Sequence, residues 1–289
     1  MKAIPESELI LNPDGSVYHL HLRPQDIATT IITVGDPDCV VAVSKHFDRV
    51  EFSTKKREFV THTGYIGNKR LTVISTGIGT DNIDIVFTEL DALANVDLET
   101  RIPKSQHTTL NIIRVGTSGS LQPNVPLDGL LASSFGMGFD NLLHYYKQTH
   151  TPIEAELLPH LPKLNNGVQP YLAQASEKLL RLIGKDMYQG ITATCSGFYG
   201  PQGRGVRLQA AMPNFLDILQ QWQHGSHQIT NFEMETSGIY GMARLLGHEA
   251  LSTNAIVAQR STQKFSTNPY QTVDSLIKIV LERIIEFDI

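Results

Sequence analysis

The chain has 289 residues, of which 41% are apolar and 18% charged, and its formal net charge is −5. This length and balance are typical of a globular protein with a sizeable core. The negative charge argues against a broad nucleic-acid surface. An anionic ligand would therefore have to be held by local arginines or by backbone N–H groups.

The cysteine content and the N-terminus indicate a reducing compartment. Cys39 and Cys195 form no CxxC pair and offer no disulfide framework of the secreted kind. The first residues, MKAIPESELILNPDG, contain no secretory hydrophobic segment. No stretch approaches the roughly 18 consecutive apolar residues that a membrane helix needs. We therefore expect a cytoplasmic protein with neither a membrane nor a nucleic acid as partner.

Apolar runs alternate with helical periodicity along the chain. TIITVG (30–35) is predicted to be a buried strand, and LTVISTGIG (71–79) a second strand that leads into a helix ending near residue 94. Further predicted strands are NIIRVGTSGS (111–120), GLLASS (129–134), GITATCS (190–196) and ALSTNAIVA (250–258). This interleaving favours an α/β fold, with a central mixed β-sheet flanked by helices and a single domain over residues 1–289.

The C-terminal segment carries the clearest helical pattern. Asn268 is predicted to cap this helix, with Pro269 at its first position. Apolar residues then recur at i, i+3, i+4 and i+7 from Val273 to Ile284, which indicates a core-facing helix. The stretches 96–109 and 145–169 are polar or proline-rich and are predicted to be loops or insertions.

Three predicted strands end in similar small-residue loops, VGDPD (34–38), STGIGTDN (75–82) and RVGTSGS (114–120). Loops of this kind line the ligand crevice of α/β sheets, and glycine lets backbone N–H groups approach an anion. Each loop taken alone is equally compatible with an ordinary tight turn. Arg114 is more informative, because an arginine within an apolar strand needs a bound anion or a carboxylate partner.

Several familiar motifs are absent from the sequence. Asn82 occupies the place of the third glycine in a dinucleotide fingerprint, and the chain contains neither a GK[ST] phosphate loop nor a GxSxG elbow. The pairs His19 with His21 and His224 with His227 lack further metal ligands at suitable spacing. We predict no metal site from them, and a solvated loop around His224 and His227.

NFEMETSG (231–238) places two carboxylates around a methionine. In an extended segment Glu233 and Glu235 would point the same way and Met234 the opposite way. The pair suits acid–base chemistry, or one carboxylate accepting hydrogen bonds from vicinal sugar hydroxyls while Met234 packs on the sugar. The alternative is a strand end at the surface with two solvated acids.

GFYGPQGR (197–204) combines groups that suit a flat, polar ring. Phe198 can stack on a base, Gln202 can both donate to and accept from its edge, and Arg204 can neutralise charge on a departing base. The alternative is an exposed loop with an incidental arginine.

The ordered set of segments YHL, VGDPD, REF, STGIG, RVGTSGS, FYGPQGR, NFEMETSGIYGMARLLGHEAL and NAIVAQRST resembles the nucleoside phosphorylase family, specifically its uridine phosphorylase branch, over nearly the whole chain. The resemblance implies reversible phosphorolysis of a nucleoside, with inorganic phosphate as co-substrate and no organic cofactor. It also implies a homo-oligomer, a dimer or a hexamer, whose sites are shared between subunits.

The resemblance assigns roles to individual residues. Arg114, Arg204 and Glu235 would carry the catalysis. The implied phosphate contacts are Gly35, Arg57 from a neighbouring subunit, Arg114 and Thr117. The implied ribose contacts are His19 from a neighbouring subunit, Glu233, Met234 and Glu235. The base would meet Phe198, Gln202 and Arg204, and Glu58 and Ser75 match positions that hold a monovalent cation in some members.

The sequence departs from the family pattern at one phosphate contact. The usual GDPxR loop ends here in Cys39, and loss of that arginine should weaken phosphate binding by about 1.5–3 kcal/mol unless Lys45 or a neighbouring chain replaces it. The run AIVAQRST lacks the aspartate of purine-specific relatives, which favours a pyrimidine base.

Two other functions stay open at this point. A nucleosidase would use water in place of phosphate, with Glu233, Glu235 or Asp36 as general base, and Cys39 motivates that alternative. A nucleoside-binding protein without chemistry would have no use for the phosphate arginines Arg57 and Arg114. The sequence does not fix the preferred base or the choice between ribose and deoxyribose.

Overall fold

Strands and helices alternate along much of the chain in the computed structural model, which describes residues 2–289 and so leaves Met1 outside. The strands are β1 (Thr30–Val34), β2 (Arg49–Lys56), β3 (Phe59–Ile66), β4 (Lys69–Ser75), β5 (Val96–Asp97), β6 (Ile102–Pro103), β7 (Asn111–Ser120), β8 (Leu130–Gly138), β9 (Tyr171–Gln174), β10 (Tyr188–Thr194), β11 (Gln223–His224), β12 (His227–Glu233), β13 (Glu249–Gln259) and β14 (Lys264–Phe265). The α-helices are α1 (Pro37–Ser44), α2 (Thr80–Asn95), α3 (Pro152–Leu157), α4 (Glu177–Ile183), α5 (Phe215–Gln221), α6 (Thr236–Leu246) and α7 (Pro269–Glu286).

Twelve of these strands form one mixed sheet, which confirms the predicted fold class. Its order is β11-β12-β10-β8-β13-β7-β1-β4-β3-β2, with β9 added beside β8 and β14 beside β13. A further pairing of β12 with β7 closes β7, β13, β8, β10 and β12 into a ring. The sheet is therefore a closed barrel on one side and an open extension on the other.

The parallel strands explain why two of the small-residue loops, 34–38 and 75–82, lie next to each other. β1 is buried along its whole length and runs parallel to both β4 and β7, as apolar strands covered on two faces do. The carboxyl ends of β1 and β4 therefore lie at the same edge, where Thr76 N donates to Val34 O at 2.8 Å. The two loops that follow these strands start α1 and α2 beside each other.

The helix α7 packs on the core as its periodicity predicted. The side chains of Leu276, Ile277, Val280, Leu281 and Ile284 are buried. Asn268 is the N-cap residue and Pro269 begins the helix, as predicted, but the Asn268 side chain makes no capping bond and its Nδ2 donates to Thr267 Oγ1 at 3.3 Å. The backbone carbonyl of Asn268 accepts from the first turn of the helix.

Two stretches predicted as loops contain regular structure. The 145–169 stretch includes α3, because Thr151 and Glu154 form a reciprocal capping box that starts a helix in polar sequence. The 96–109 stretch includes the short β5–β6 hairpin. The solvated loop predicted around His224 is also wrong, since His224 and His227 pair across the β11–β12 hairpin and His224 stacks on His160.

Within residues 2–289, no helix combines the length and apolar character needed to cross a membrane. The expectation of a single domain over residues 1–289 stays a prediction. Met1 lies outside the described residues.

Candidate active site

A large cavity opens where the loops after β1 and β4 meet the mouth of the barrel. Its volume is about 1140 Å³, somewhat larger than the roughly 300–1,000 Å³ usual for small-molecule sites. The structure brings to its walls most of the residues predicted for a site, namely Gly35, Glu58, Arg114, Thr117, Phe198, Gln202, Arg204, Glu233, Met234 and Glu235.

Arg114 is buried in the wall and holds two carboxylates. Its Nη2 lies 2.7 Å from Glu235 Oε2 and 3.3 Å from Glu233 Oε2. Gly116 makes room for the guanidinium, because a Cβ there would lie 2.0 Å from Nη1. Burial acts to lower the pKa of Arg114, but Glu233 and Glu235 raise it above its ordinary value. Of the two predicted partners for Arg114, a bound anion or a carboxylate, the structure shows the carboxylate.

Glu233 holds the start of α6. Its carboxylate accepts from the backbone N–H of Glu235 at 2.9 Å and of Thr236 at 3.0 Å. It also accepts from Thr194 Oγ1 at 2.9 Å. A carboxylate suits the positive end of the helix dipole, so Glu233 ties the barrel strand β12 to the helix that follows it.

Glu235 is the N-cap residue of α6 and faces the cavity from the other side of Arg114. Its Oε1 accepts from Gly79 N at 2.8 Å, and the φ of +99° at Gly79 suits glycine. Burial raises the pKa of Glu235, and Arg114 opposes that rise. Both glutamates are buried, so the alternative of two solvated acids is wrong. The strand ends at Glu233, so their convergence comes from the turn into α6 and not from an extended segment.

The loop after β10 forms the opposite end of the cavity. The guanidinium of Arg204 stacks over the Phe198 ring at 3.8 Å and lies 5.4 Å from the Phe232 ring. Arg204 Nη1 donates to the Phe198 carbonyl at 2.7 Å and to the Oε1 of buried Gln202. Burial and the charge of Arg260 lower the pKa of Arg204. An aromatic face, an amide and a cation therefore converge here.

Cys39 lines the cavity in place of the expected arginine. Burial raises the pKa of its thiol, and Asp36 and Asp38 raise it further. The thiol is therefore neutral near pH 7. Lys45 is not among the residues that line this cavity, and its Nζ binds Asp274 Oδ1 at 2.5 Å. Replacement of the missing arginine by Lys45 stays a prediction.

His19 and Arg57 are not among the residues that line this cavity within residues 2–289. They share a separate surface, where the Arg57 guanidinium lies 5.6 Å from the Tyr18 ring and Tyr18 packs edge-on against His19. His19 Nδ1 lies 2.6 Å from Glu89 Oε1, and the same carboxylate accepts from the backbone of His19 and Leu20. We name Tyr18, His19, Arg57 and Glu89 the Tyr18 cluster.

The proposed cation positions are partly occupied by protein contacts. Ser75 Oγ donates to the Glu58 carbonyl at 2.6 Å and accepts from Val60 N at 2.8 Å. Glu58 Oε1 accepts from Asn82 Nδ2 at 3.2 Å. A cation held by Glu58 and Ser75 stays a prediction.

Asp91, His107 and His248 form a second group of possible ligands, at the far ends of α2 and α6. Nδ1 of His248 accepts from the Leu110 amide at 3.2 Å. The neutral ring therefore carries its proton on Nε2, 3.3 Å from Asp91 Oδ1, and offers no lone pair there to a metal.

Sequence reasoning did not single out several residues that shape the site. They include Thr194, Phe232, Asn254 and Arg260. Asn254 carried a usable signal, since it is an amide in the otherwise apolar or small-residue run ALSTNAIVA. The others became visible only when the barrel brought β10, β12 and β13 together.

The geometry agrees with the relationships of the whole chain. The model of the Phosphorylase superfamily matches residues 29–286, so the chain belongs to this superfamily. Within it, the resemblance to the uridine phosphorylase branch is confirmed by curated relatives. The uridine phosphorylase of Thermococcus kodakarensis is 30% identical over 256 residues, which cover 87% of this chain and 80% of that protein.

Two further relatives extend the similarity. The uridine phosphorylase of Haemophilus influenzae is 27% identical over 272 residues, covering 92% of this chain and 96% of that protein. Among solved structures, a Trypanosoma brucei nucleoside phosphorylase described as showing uridine phosphorylase activity superposes with a TM-score of 0.85 and 29% identity. The match covers 96% of this chain and 99% of that one.

Proposed function

We propose that this protein is a pentosyltransferase that cleaves uridine with inorganic phosphate to give uracil and ribose 1-phosphate. The observation that carries the proposal is the buried Arg114–Glu235 pair, which places an anion-binding cation beside a hydroxyl-binding carboxylate. The base loop of Phe198, Gln202 and Arg204 lies in the same cavity. Phosphate, sugar and base thus have separate, adjoining subsites.

In the reaction, the glycosidic bond loosens first and its electron pair moves onto the base. A phosphate oxygen held by Arg114, Thr117 and the N–H groups near Gly35 then attacks the positively charged anomeric carbon. Arg204 and Gln202 stabilise the negative charge that develops on the departing uracil, which takes up a proton from solvent. These interactions strengthen in the transition state and so raise the rate.

Glu235 would accept hydrogen bonds from the ribose hydroxyls, with Met234 against the sugar. Because Arg114 fixes one oxygen of Glu235 and Gly79 N–H the other, the carboxylate is oriented before the nucleoside arrives. Such preorganisation favours the reactive geometry. No organic cofactor is required by this scheme.

The partner subunit completes the site in this proposal. Two carboxylates already compete for Arg114, and Cys39 adds no charge, so one chain provides little net positive charge for a phosphate dianion. The partner's Arg57 would supply it, and the partner's His19 would reach the ribose 5′-hydroxyl. The exposed Arg57 and the fixed His19 of the Tyr18 cluster suit such a role. We therefore propose a homo-oligomer, a dimer or a hexamer.

Hydrolysis by water is the less suitable alternative. Each candidate general base already accepts hydrogen bonds from protein donors, which leaves fewer lone pairs free to take a proton from water: α6 amides at Glu233, Arg114 at Glu235, and the Asp38 amide at Asp36. A binding protein without chemistry would not need a buried arginine in the phosphate position. We place the reaction in the cytoplasm, which the two free thiols support.

The test follows the products of uridine with and without phosphate. We expect uracil and ribose 1-phosphate in equal amounts, and only when phosphate is present. Free ribose released without phosphate would establish a nucleosidase instead. Nucleoside binding without release of base would establish a binding protein. Cytidine, inosine and 2′-deoxyuridine in parallel reactions define the base and sugar preference.

A further inference from the structure

Asn254 is a fully buried amide that no step of the proposed reaction uses, yet it touches Arg114. It lies in β13 with none of its surface exposed, and its Oδ1 accepts from Arg114 Nη1 at 3.1 Å. We propose that Asn254 is a positioning residue that holds Arg114 toward phosphate without adding a further negative charge beside it. This inference rests on the proposed function, since it assigns phosphate to Arg114.

The register of the sheet explains the contact. β13 pairs with β7 so that Asn254 lies opposite Gly116, and Ser252 opposite Arg114. The Arg114 side chain extends over Gly116, where any Cβ would collide with it, and reaches Asn254. The guanidinium therefore occupies a space that β7 and β13 build jointly.

The orientation of the amide follows from its neighbours. Arginine carries only donors, so the oxygen of Asn254 must face Arg114 and its nitrogen must face away. The nitrogen accordingly lies 3.3 Å from Ser133 Oγ and 3.4 Å from Ser252 Oγ. These hydroxyls, both fully buried, can accept from the amide nitrogen while the amide oxygen faces Nη1.

The choice of a neutral acceptor has a chemical consequence. Nη2 already faces Glu235 and Glu233, so a third carboxylate on Nη1 would leave the surroundings of Arg114 strongly negative. An apolar residue would leave a buried N–H unpaired and the guanidinium free to move. An amide satisfies the donor and adds no charge, so it does not further weaken the attraction of Arg114 for a dianion.

The experiment compares Asn254→Ala and Asn254→Asp with the unaltered enzyme, using the KM for phosphate and calorimetric titration with inorganic phosphate. We expect phosphate affinity to fall about 10-fold in the alanine variant, from the lost hydrogen bond. We expect a fall of about 100-fold in the aspartate variant, from the added charge. At saturating phosphate, the KM for uridine should change less than about 3-fold in the alanine variant.

The relative losses of phosphate affinity in Asn254→Ala and Asn254→Asp distinguish a positioning role from a packing role. Aspartate keeps the shape of asparagine and its bond to Arg114, so a purely structural role predicts that aspartate is the milder change. Asn95→Ala is the matched control, because Asn95 is also buried and bonded to Asp91 and Thr108 but lies at the far end of α2. Its phosphate affinity should stay within about 2-fold of the unaltered enzyme.

Phosphate affinity within about 2-fold of normal in both folded Asn254 variants, or a milder effect of aspartate, would overturn the inference. Asn254→Ser keeps an oxygen and replaces the alanine variant if that protein does not fold. Calorimetry distinguishes the two proposals. If phosphate binds with the expected order of variants but uridine is not cleaved, the positioning role stands and phosphorolysis fails.

Discussion

Arg114 and Glu235 form a buried ion pair in which Nη2 and Oε2 lie 2.7 Å apart. The group assigned to phosphate and the group assigned to ribose are thereby one electrostatic unit. A dianion that approaches Arg114 competes with Glu235 for the same cation, and ribose hydroxyls that donate to Glu235 relieve that competition. We therefore expect each substrate to favour the binding of the other.

The first prediction concerns Glu235→Gln. An amide is a weaker acceptor than a carboxylate, and we expect kcat/KM for uridine to fall about 10- to 150-fold. Steady-state kinetics measures the change. Exposed Glu156→Gln is the matched control and should keep normal kinetics. Normal kinetics in Glu235→Gln would remove Glu235 from the ribose subsite.

The pH dependence of kcat/KM is a second prediction. Burial raises the pKa of Glu235 above 4.5, so its ionised form, which accepts from the hydroxyls, is lost at a higher pH than for an exposed glutamate. Activity should therefore rise with pH through this raised pKa and level off above it. The rise of kcat/KM with pH should be absent in the Glu235→Gln variant. An unchanged rise in that variant would show that another group causes it.

The third prediction concerns stability in Arg114→Met. Removing the cation leaves Glu233 and Glu235 buried together, and breaking a buried pair in this way costs about 3–5 kcal/mol of unfolding free energy. Without Arg114 the folded pKa of Glu235 rises further. A raised folded pKa stabilises the protein below the unfolded value near 4.5 and loses that effect as pH rises.

In denaturant unfolding, the free energy of unfolding of this variant should therefore be lower than that of the unaltered protein. This difference should shrink from pH 8 toward pH 5. The double variant Arg114→Met with Glu235→Gln should recover part of the loss at pH 8. Exposed Arg181→Met controls for loss of a surface arginine. A deficit that is constant across this pH range would contradict the electrostatic account.

The fourth prediction restores the missing cation. Cys39 lines the cavity as a neutral thiol, so Cys39→Arg should place a guanidinium beside the phosphate subsite. We expect the KM for phosphate to fall about 10-fold. Cys39→Ser, which changes no charge, should leave it unaltered. An unchanged KM in the arginine variant would indicate that phosphate binds elsewhere in the cavity.

The fifth prediction tests the shared site. Arg57→Ala and Glu235→Gln should each lose most of the activity, but a mixed dimer of the two contains one intact site. Co-expression with random pairing should restore about a quarter of the normal activity. Mixing the purified, non-exchanging variants is the control. Full activity of Arg57→Ala alone would show that the Tyr18 cluster does not reach a neighbouring cavity.

The strongly apolar elements could be predicted from the sequence because continuous or periodic runs of apolar residues indicate buried strands and helices. TIITV, the α2 segment and the α7 periodicity all led to the correct element. Helix α3 was missed because its capping box, and not its apolar content, starts it. Strand β2 was missed because it is largely solvated. Strand β3 is mostly buried, but threonine, histidine and glycine interrupt its apolar residues, so it shows no continuous apolar run.

At the site, the sequence identified the chemistry of single residues better than their partnerships. The position of Arg114 in an apolar strand predicted that it needs a bound anion or a carboxylate partner. In the structure Glu233 and Glu235 provide the carboxylates. The hydrogen bond from the Glu235 amide to the Glu233 carboxylate could not be predicted, because it depends on β12 ending where α6 begins. The contact of Asn254 depends on its register with Gly116, which lies far away in the chain.

The pairing of β12 with β7 through Asn231 with Ser120 and Phe232 with Gly119 closes the barrel just before Glu233. A closed ring has no unpaired edge strand, so its amides open only when several strands separate together. Hydrogen–deuterium exchange should therefore be slowest along the five strands of the ring, β7, β13, β8, β10 and β12. The strands that carry Arg114 and Glu233 would therefore stay folded while the loops after β1 and β4 open locally, and within one subunit substrate access would depend on those loops.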